Sequence, residues 1–147
     1  MVIFASEDVG HASPQALSVA VSAMSAVQNI GMPEARIILG QTAVFLACSP
    51  KSNAAYLALG RALELGAQKG PEIPPALTNA PTKLMREEGR AQGYRYPHDY
   101  EGNFVRADYF PLNYETEALY KPTANGSEKQ IAERLAALWP DREAKKN

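Results

Sequence analysis

The chain has 147 residues, 46% of them hydrophobic and 21% charged, with a formal net charge of −1. That length and composition are those of a single globular domain, and the lack of a basic excess argues against a general nucleic-acid binder. No stretch is long and apolar enough to span a bilayer, which excludes a membrane-spanning helix.

The chain opens directly in apolar residues, Met1–Phe4, with no capping residue ahead of them. Because natural helices begin with a capping signal, we predict that the chain starts inside an element that is longer in a parent protein. A complete helix is predicted between the start signal Ser13-Pro14 and the end signal Gly31. Apolar residues recur through it at helical spacing, namely Leu17, Val21, Met24 and Val27.

A row of small polar residues runs along one face of that helix. Its members, Ser18, Ser22, Ser25 and Asn29, are spaced by four, three and four residues. The row is either a solvated stripe or a seam where another helix, from this chain or from a neighbouring subunit, approaches closely. Ser18, Ser22 and Ser25 are therefore the candidate oligomer seam.

The next predicted helix, Pro33–Ser49, is apolar on nearly every side, and helices of that kind are buried. The single cysteine, Cys48, cannot form an internal disulfide, and we expect it to be a buried thiol in a reducing compartment. Only eight of the 31 charged residues lie within residues 1–70. This helical half is too poor in charge to be a freely solvated layer.

A third helix is predicted to begin at a cap, Ser52 or Asn53, and to end near Gly66 or Gly70. Four prolines within residues 70–81 then predict a loop, because neither a helix nor a strand tolerates that density.

A short helix, Thr82–Glu88, precedes an irregular stretch over residues 90–122. The residues Ser127–Gln130 match a capping box, which predicts a final helix ending at Trp139. The fold class is therefore all-α, a helical bundle with a long irregular tyrosine-rich segment and no strand. Residues 1–147 are expected to be one domain, made of a helical half (1–70), a loop-rich segment with a short helix (71–126), a final helix (127–139) and a polar tail (140–147).

The most distinctive feature is the density of aromatic residues between residues 94 and 120. One interpretation is base stacking on single-stranded nucleic acid, which also needs cations along the groove. Residues 90–121 contain four cations and five anions, which favours the other interpretation, a loop that packs its own tyrosine rings against the helices. The candidate binding segment comprises Tyr94, Arg95, Tyr96, His98, Asp99 and Tyr100.

Sites for catalysis are not evident. There is no phosphate-binding loop of the type G-x-x-x-x-G-K-[ST], so no nucleotide site is expected in this chain. A hydrolase or metal enzyme built around His98, Asp99 and either Glu7 or Asp8 is the weakest hypothesis, because no convergent set of ligands is visible. We predict no catalytic residue, no metal and no cofactor here.

Several words of the sequence resemble the C-terminal region of the MgsA/RarA family of AAA+ ATPases, relatives of the Werner-helicase-interacting ATPase. They are Phe4–Leu17, Gly31–Ala47, Pro50–Tyr56, Ala80–Met85, Gly93–Tyr100 and Tyr120–Leu135. The chain departs from the family pattern at Ile38 and at Arg90–Gln92. The motif residues Lys51, Asn53, Lys83, His98 and Asp99 carry over without an assignable role.

The resemblance implies a helical domain related to the clamp-loader collar, which assembles tetramers. It also implies a parent protein that uses ATP and Mg²⁺ and acts on DNA at stalled replication forks, near single-strand-binding protein. The leading hypothesis is accordingly an oligomerisation domain that is not itself an enzyme, in the cytoplasm and associated with a bacterial nucleoid. The alternative is a module that binds DNA or a replication protein through residues 94–120.

Overall fold

In a computed structural model, the chain is described over residues 1–68, 70, 72–78 and 80–140, the side chain of Arg86 excepted. These residues form six α-helices and no strand, which confirms the predicted all-α class. The helices are α1 (Val2–Phe4), α2 (Gln15–Ile30), α3 (Ala35–Cys48), α4 (Ala54–Gln68), α5 (Lys83–Glu87) and α6 (Glu128–Leu138). None of the described helices combines the length and the hydropathy needed to cross a bilayer. Most of the predicted polar tail lies outside the described residues.

The chain divides into two compact units. The first contains residues 1–63 and the chain from Leu119 onward, and the second contains residues 64–118. In the first, α1 continues into a π-helical turn, Ala5–Val9, and then a 3-10 turn, Gly10–Ala12, ahead of α2. In the second, 3-10 turns occupy Pro75–Leu77, Pro97–Asp99 and Glu101–Asn103.

The helix ends follow local chemistry. Gly31 ends α2 with a φ of 76°, which favours glycine. Of the two predicted caps of α4, Asn53 supplies the first intrahelical carbonyl, and the Ser52 hydroxyl accepts a hydrogen bond from the Ala54 amide at 3.3 Å. The predicted capping box is wrong, because Ser127 occupies the N-cap position of α6 without a side-chain cap hydrogen bond. The start of α6 is instead attached to the rest of the unit by hydrogen bonds to the side chain of Glu128.

Small residues form the core of the first unit. Ala16, Ala20 and Ala23 are the buried residues of α2, which packs against α3. The core cluster adds Ala5, Val9 and Leu46. The largest fully buried side chains among the described residues are Val9 and Glu128.

Two large apolar residues of α3, Ile37 and Val44, point away from this core. Ile37 is 76% exposed and Val44 is 64% exposed, and Cys48 is exposed as well. The predictions that this helix is buried all round and that Cys48 is a buried thiol are therefore wrong for the chain alone. The physical reason is that the core contacts only the face carrying Ala35, Thr42 and Leu46.

A left-handed backbone position lies in the second unit, where the sequence departs from its family pattern. Ala91 has a φ of 59°, a conformation that costs a residue with a Cβ about 1–2 kcal/mol. Its amide donates to the Pro75 carbonyl at 2.8 Å and to the Thr78 hydroxyl at 3.3 Å. These two hydrogen bonds hold the residue in a conformation that glycine would adopt freely.

Ala91→Gly is expected to raise the free energy of unfolding by about 0.5 kcal/mol, because relief of the left-handed strain exceeds the extra entropy of glycine in the unfolded chain. Ala43→Gly, at an exposed position inside α3, is the control and should lower it by about 1 kcal/mol. Urea unfolding followed by circular dichroism measures both. Equal losses in the two variants would contradict the strain at Ala91.

Candidate functional surfaces

Three separate segments of the first unit meet at one junction. The Ser52 amide donates to the Asp8 carbonyl at 2.8 Å, and the Ser127 amide donates to the Ala12 carbonyl at 2.9 Å. The side-chain amide of Asn125 donates to the Lys51 carbonyl at 2.9 Å. The turn before α2, the link between α3 and α4, and the segment before α6 are thus tied together. We call this contact the junction.

Glu128 is the centre of the junction. Its side chain is 0% exposed. One carboxylate oxygen accepts from the Ser52 hydroxyl, the Thr123 hydroxyl and the Thr123 amide, each at 2.7 Å. The other accepts from the Tyr120 hydroxyl at 2.8 Å. Four donors therefore solvate a carboxylate that has no access to water.

The protonation states of this network follow from its geometry. Burial by itself raises the pKa of Glu128, but the hydrogen bonds from Ser52, Thr123 and Tyr120 outweigh it and bring the pKa from 4.5 to about 2. Burial, together with the hydrogen bond to Glu128 and its charge, raises the pKa of Tyr120 above its usual range. The carboxylate is ionised and the phenol is protonated at neutral pH. The protein supplies every donor to this carboxylate, and solvent does not reach it. Its role is therefore structural, and it does not act as an acid or base for a substrate.

Sequence reasoning missed this role of Glu128, because it assigned the residue to a capping box. The available signal was that Ser52 and Glu128 both lie in words shared with the family. Lys51, carried over without a role, is also structural. Its amine donates to the Leu46 and Ala47 carbonyls, at 2.8 and 3.3 Å, and to the Ser49 carbonyl. A cation at this place satisfies the last carbonyls of α3 and complements its dipole.

Two glycines allow the backbones to approach at the junction. Gly126 has a φ of 52°, and a Cβ there would lie 2.7 Å from the Pro50 Cγ and 2.9 Å from the Ala12 carbonyl carbon. A Cβ on Gly10 would lie 2.5 Å from the Ser52 carbonyl oxygen. Neither position has room for a side chain.

The outer surface of the helices is the first candidate functional surface. On α4, Tyr56, Leu59 and Leu63 are 53%, 58% and 65% exposed. Their spacing of three and four residues places them on one face, whereas the buried residue of α4 is Ala54. Helix α4 therefore directs small residues inward and large apolar residues outward, the reverse of the usual arrangement. Helix α3 buries Leu46 but also exposes large apolar residues, Ile37 and Val44. We call Tyr56, Leu59 and Leu63 the outer face of α4.

The predicted seam is exposed in this chain. Ser18, Ser22 and Ser25 all lie on the surface of α2, on the side opposite its buried alanines. The Asn29 side chain donates to the Ser25 carbonyl at 2.8 Å. The described part of the chain places no helix over this row. A solvated stripe and a seam with a neighbouring subunit both remain compatible with it.

The tyrosines divide into two groups. The predicted packing against the chain is found for Tyr114, whose hydroxyl donates to the Leu65 carbonyl at 2.7 Å, and for Tyr120 at Glu128. It is wrong for Tyr94, Tyr96, Tyr100 and Tyr109, which are 42–54% exposed. The first three belong to residues 94–101, which we call the aromatic turn. The 3-10 turn Pro97–Asp99 lies between Tyr96 and Tyr100.

The remaining candidate residues sit in the aromatic turn. Arg95 donates through Nη2 to the Arg106 carbonyl at 2.6 Å. The His98 ring centroid lies 5.0 Å from that of Tyr96, at an interplanar angle of 50°. Asp99 and Glu101 are exposed. Within the described chain, no three His, Cys, Asp or Glu residues are grouped to hold a metal ion, so no observation supports a metal enzyme built on His98 and Asp99.

Comparison with known proteins supplies a family. A family model described as "MgsA AAA+ ATPase C terminal" matches residues 1–139. Replication-associated recombination protein A of Escherichia coli strain K12 is 44% identical over 137 residues, which cover 91% of this chain and 30% of that protein. The protein of the same name from Bacillus subtilis is 37% identical over 140 residues, covering 92% of this chain and 33% of that protein. ATPase WRNIP1 of Dictyostelium discoideum is 37% identical over 123 residues, covering 82% and 14%.

The chain thus spans a third or less of the length of these relatives.

Gly126→Ala is expected to lower the free energy of unfolding by at least about 2 kcal/mol, because the new Cβ meets backbone at Ala12 and requires a left-handed conformation. Gly60→Ala, inside α4 where a Cβ meets nothing within 4 Å, is the matched control and should stabilise by about 0.5–1 kcal/mol. Urea unfolding of both variants makes the comparison. A neutral Gly126→Ala would show that the junction is loose.

Glu128→Gln is expected to lower the free energy of unfolding at pH 7 by about 3 kcal/mol, because the amide cannot accept all four hydrogen bonds. The pKa of Glu128 is lower in the folded chain, about 2, than the ordinary 4.5. The stabilisation is therefore complete above pH 4.5 and is lost as the pH falls towards 2. The difference between wild type and variant should shrink over the same interval.

The control for this variant is Glu133→Gln, at an exposed position of α6, which should change the free energy of unfolding by less than about 0.5 kcal/mol. Chemical unfolding at several pH values between 3 and 7 makes the measurement. A difference that stays constant with pH would rule out an ionised Glu128 as the source of the stabilisation.

Proposed function

The chain belongs to the family of MgsA AAA+ ATPase C-terminal domains, and we propose on that basis that it is the self-assembly domain of such an ATPase. The observation that carries the proposal is the set of large apolar residues that α3 and α4 expose to solvent, namely Ile37, Val44, Tyr56, Leu59 and Leu63. Exposed apolar residues grouped on a helix face mark a surface that is covered by another molecule.

The outer face of α4 is the main contact in this proposal. Tyr56, Leu59 and Leu63 follow the spacing by which helices pack against one another. Covering such a face removes a large apolar area of its tyrosine and leucine side chains from water. Ile37 and Val44 on α3 add a further apolar surface with no charge between them. A second copy of the chain offers the same faces, so it is the simplest partner.

The proposed number of subunits is four. Identical faces on identical chains lead to closed, symmetric assemblies, and the resemblance to the MgsA/RarA family favours a tetramer. The serine row of Ser18, Ser22 and Ser25 is a second contact in this proposal, where small side chains would let two helices approach closely.

The activity of the whole protein is also a proposal. Relatives are named for replication-associated recombination, and we infer that the parent of this chain acts on DNA at replication forks, near single-strand-binding protein. The parent would hydrolyse ATP with Mg²⁺ at a site outside this chain, in the cytoplasm and at the nucleoid. This chain itself would contribute no catalytic residue.

The second candidate function is a binding module built on residues 94–120. The observation that favours it is the exposure of Tyr94, Tyr96, Tyr100 and Tyr109, which a loop packed on its own side chains would not show. The five anions of this stretch against two cations disfavour DNA as the ligand, because DNA affinity comes mainly from cationic contacts to phosphate.

We predict that the purified chain self-associates and that Leu59→Glu or Leu63→Glu weakens the association constant at least about tenfold, because a charge would be buried in the contact. Ser22→Arg tests the serine row separately, since arginine is a good helix former and should disrupt assembly only at a covered seam.

Sedimentation equilibrium and light scattering over a range of concentrations measure these effects, with circular dichroism to show that each variant keeps its helices. A wild-type chain that remains monomeric at the highest concentration would overturn the proposal. An unchanged oligomer in Ser22→Arg would remove only the serine row from the contact.

A further inference from the structure

The aromatic turn differs from the other aromatic residues of the chain in having unused binding groups. Tyr114 and Tyr120 donate their hydroxyls to Leu65 and Glu128. Tyr94, Tyr96 and Tyr100 are 54%, 51% and 42% exposed, and their hydroxyls form no hydrogen bond within the described chain. Three phenol rings close together in sequence therefore present faces, edges and donors to solvent.

The charges beside these rings are negative in sum. Asp99 and Glu101 are exposed, and within the described residues neither carboxylate has an ion pair or a hydrogen bond to its side chain. Arg95, the one Lys or Arg of residues 94–101, donates to the Arg106 carbonyl at 2.6 Å. It keeps its charge, so the turn carries two anions against one cation. Residues 64–118 as a whole contain nine anions and six cations. Both the local and the wider charge favour a cationic ligand.

The backbone of the turn is fixed in advance. The Asp99 amide donates to the Tyr96 carbonyl at 3.1 Å, the Tyr100 amide to the Pro97 carbonyl at 3.1 Å, and the Asn103 amide to the Tyr100 carbonyl at 3.0 Å. The Tyr96 ring is further held by its contact with His98. Little backbone ordering is then required on binding, which favours affinity.

We propose that the aromatic turn binds a basic, extended segment of another protein. Arginine or lysine side chains of the ligand lie over the tyrosine rings as cation–π pairs, and Asp99 and Glu101 pair with the same or neighbouring cations. Prolines between the cations keep such a segment extended and pack on aromatic rings. Single-stranded nucleic acid offers rings for stacking, but it brings phosphates towards two free carboxylates, so a protein ligand is favoured. This inference deepens the second candidate function and does not depend on self-assembly.

The probe is a fluorescein-labelled peptide of alternating arginine and proline, titrated with the full chain at low and physiological salt and followed by fluorescence anisotropy. Saturable binding that weakens with salt is expected. The combined variant Tyr96→Ala, Tyr100→Ala should weaken it about tenfold, from the loss of two cation–π pairs of about 0.5–1 kcal/mol each. The combined variant Asp99→Asn, Glu101→Gln should weaken binding at low salt and flatten its salt dependence.

Tyr109→Ala is the matched control, because Tyr109 is similarly exposed at 43% but lies outside the turn, and it should leave binding unchanged. Tyr96→Phe should retain binding, because the ring face is kept. Equal binding of a peptide with glutamate in place of arginine would overturn the proposal.

Two further outcomes separate this inference from the functions proposed above. Suppose that labelled oligothymidine binds tightly and that the tyrosine variant loses this binding. The binding module would then stand, but its ligand would be nucleic acid, which would overturn the proposed protein partner. Binding of neither probe would overturn the partner and the module together. Light scattering on the same samples, including Leu59→Glu, reports self-assembly independently, so failure of one function leaves the other measurable.

Discussion

A single buried carboxylate holds the first unit together. A charge removed from water is strongly unfavourable unless the protein replaces the lost solvation, and here Ser52, Tyr120 and Thr123 supply that replacement for Glu128. The residue also begins α6, where the helix dipole favours a negative charge. Because its donors come from separate segments, the charge is satisfied only when the link between α3 and α4 and the segment before α6 are both in place.

This constraint explains why so small a core is sufficient. Alanine side chains on α2 and α3 bring the backbones close but bury little apolar area each, so the packing of large side chains cannot define the fold by itself. The hydrogen bonds around Glu128 and the close crossings at Gly126 and Gly10 supply the missing specificity. Because the core is built from small side chains, large apolar residues of α3 and α4 remain on the outer surface.

The sequence predicts the helices well because their ends depend on local chemistry. Prolines, glycines and the cap at Ser52 act through neighbouring backbone groups, so they can be located without knowledge of the fold. Helical periodicity, however, gives the apolar face of a helix without showing which side the rest of the chain covers. For that reason the prediction of a buried Cys48 was wrong. The role of Glu128 could not be derived from local pattern, because its donor at Ser52 lies 76 residues away.

That separation has a consequence for the order in which the unit can be completed. Residues 64–118 form a unit of their own, and they leave the ribosome after the helices α1 to α3 and before the carboxylate that closes the junction. During that interval Ser52 has no acceptor at Glu128, and the apolar faces of a half-finished bundle stand in water on a growing chain. Synthesis at the usual 5–20 residues per second makes the wait several seconds long. Until α6 emerges, the nascent chain therefore exposes apolar surface of the kind that makes incomplete chains prone to aggregate.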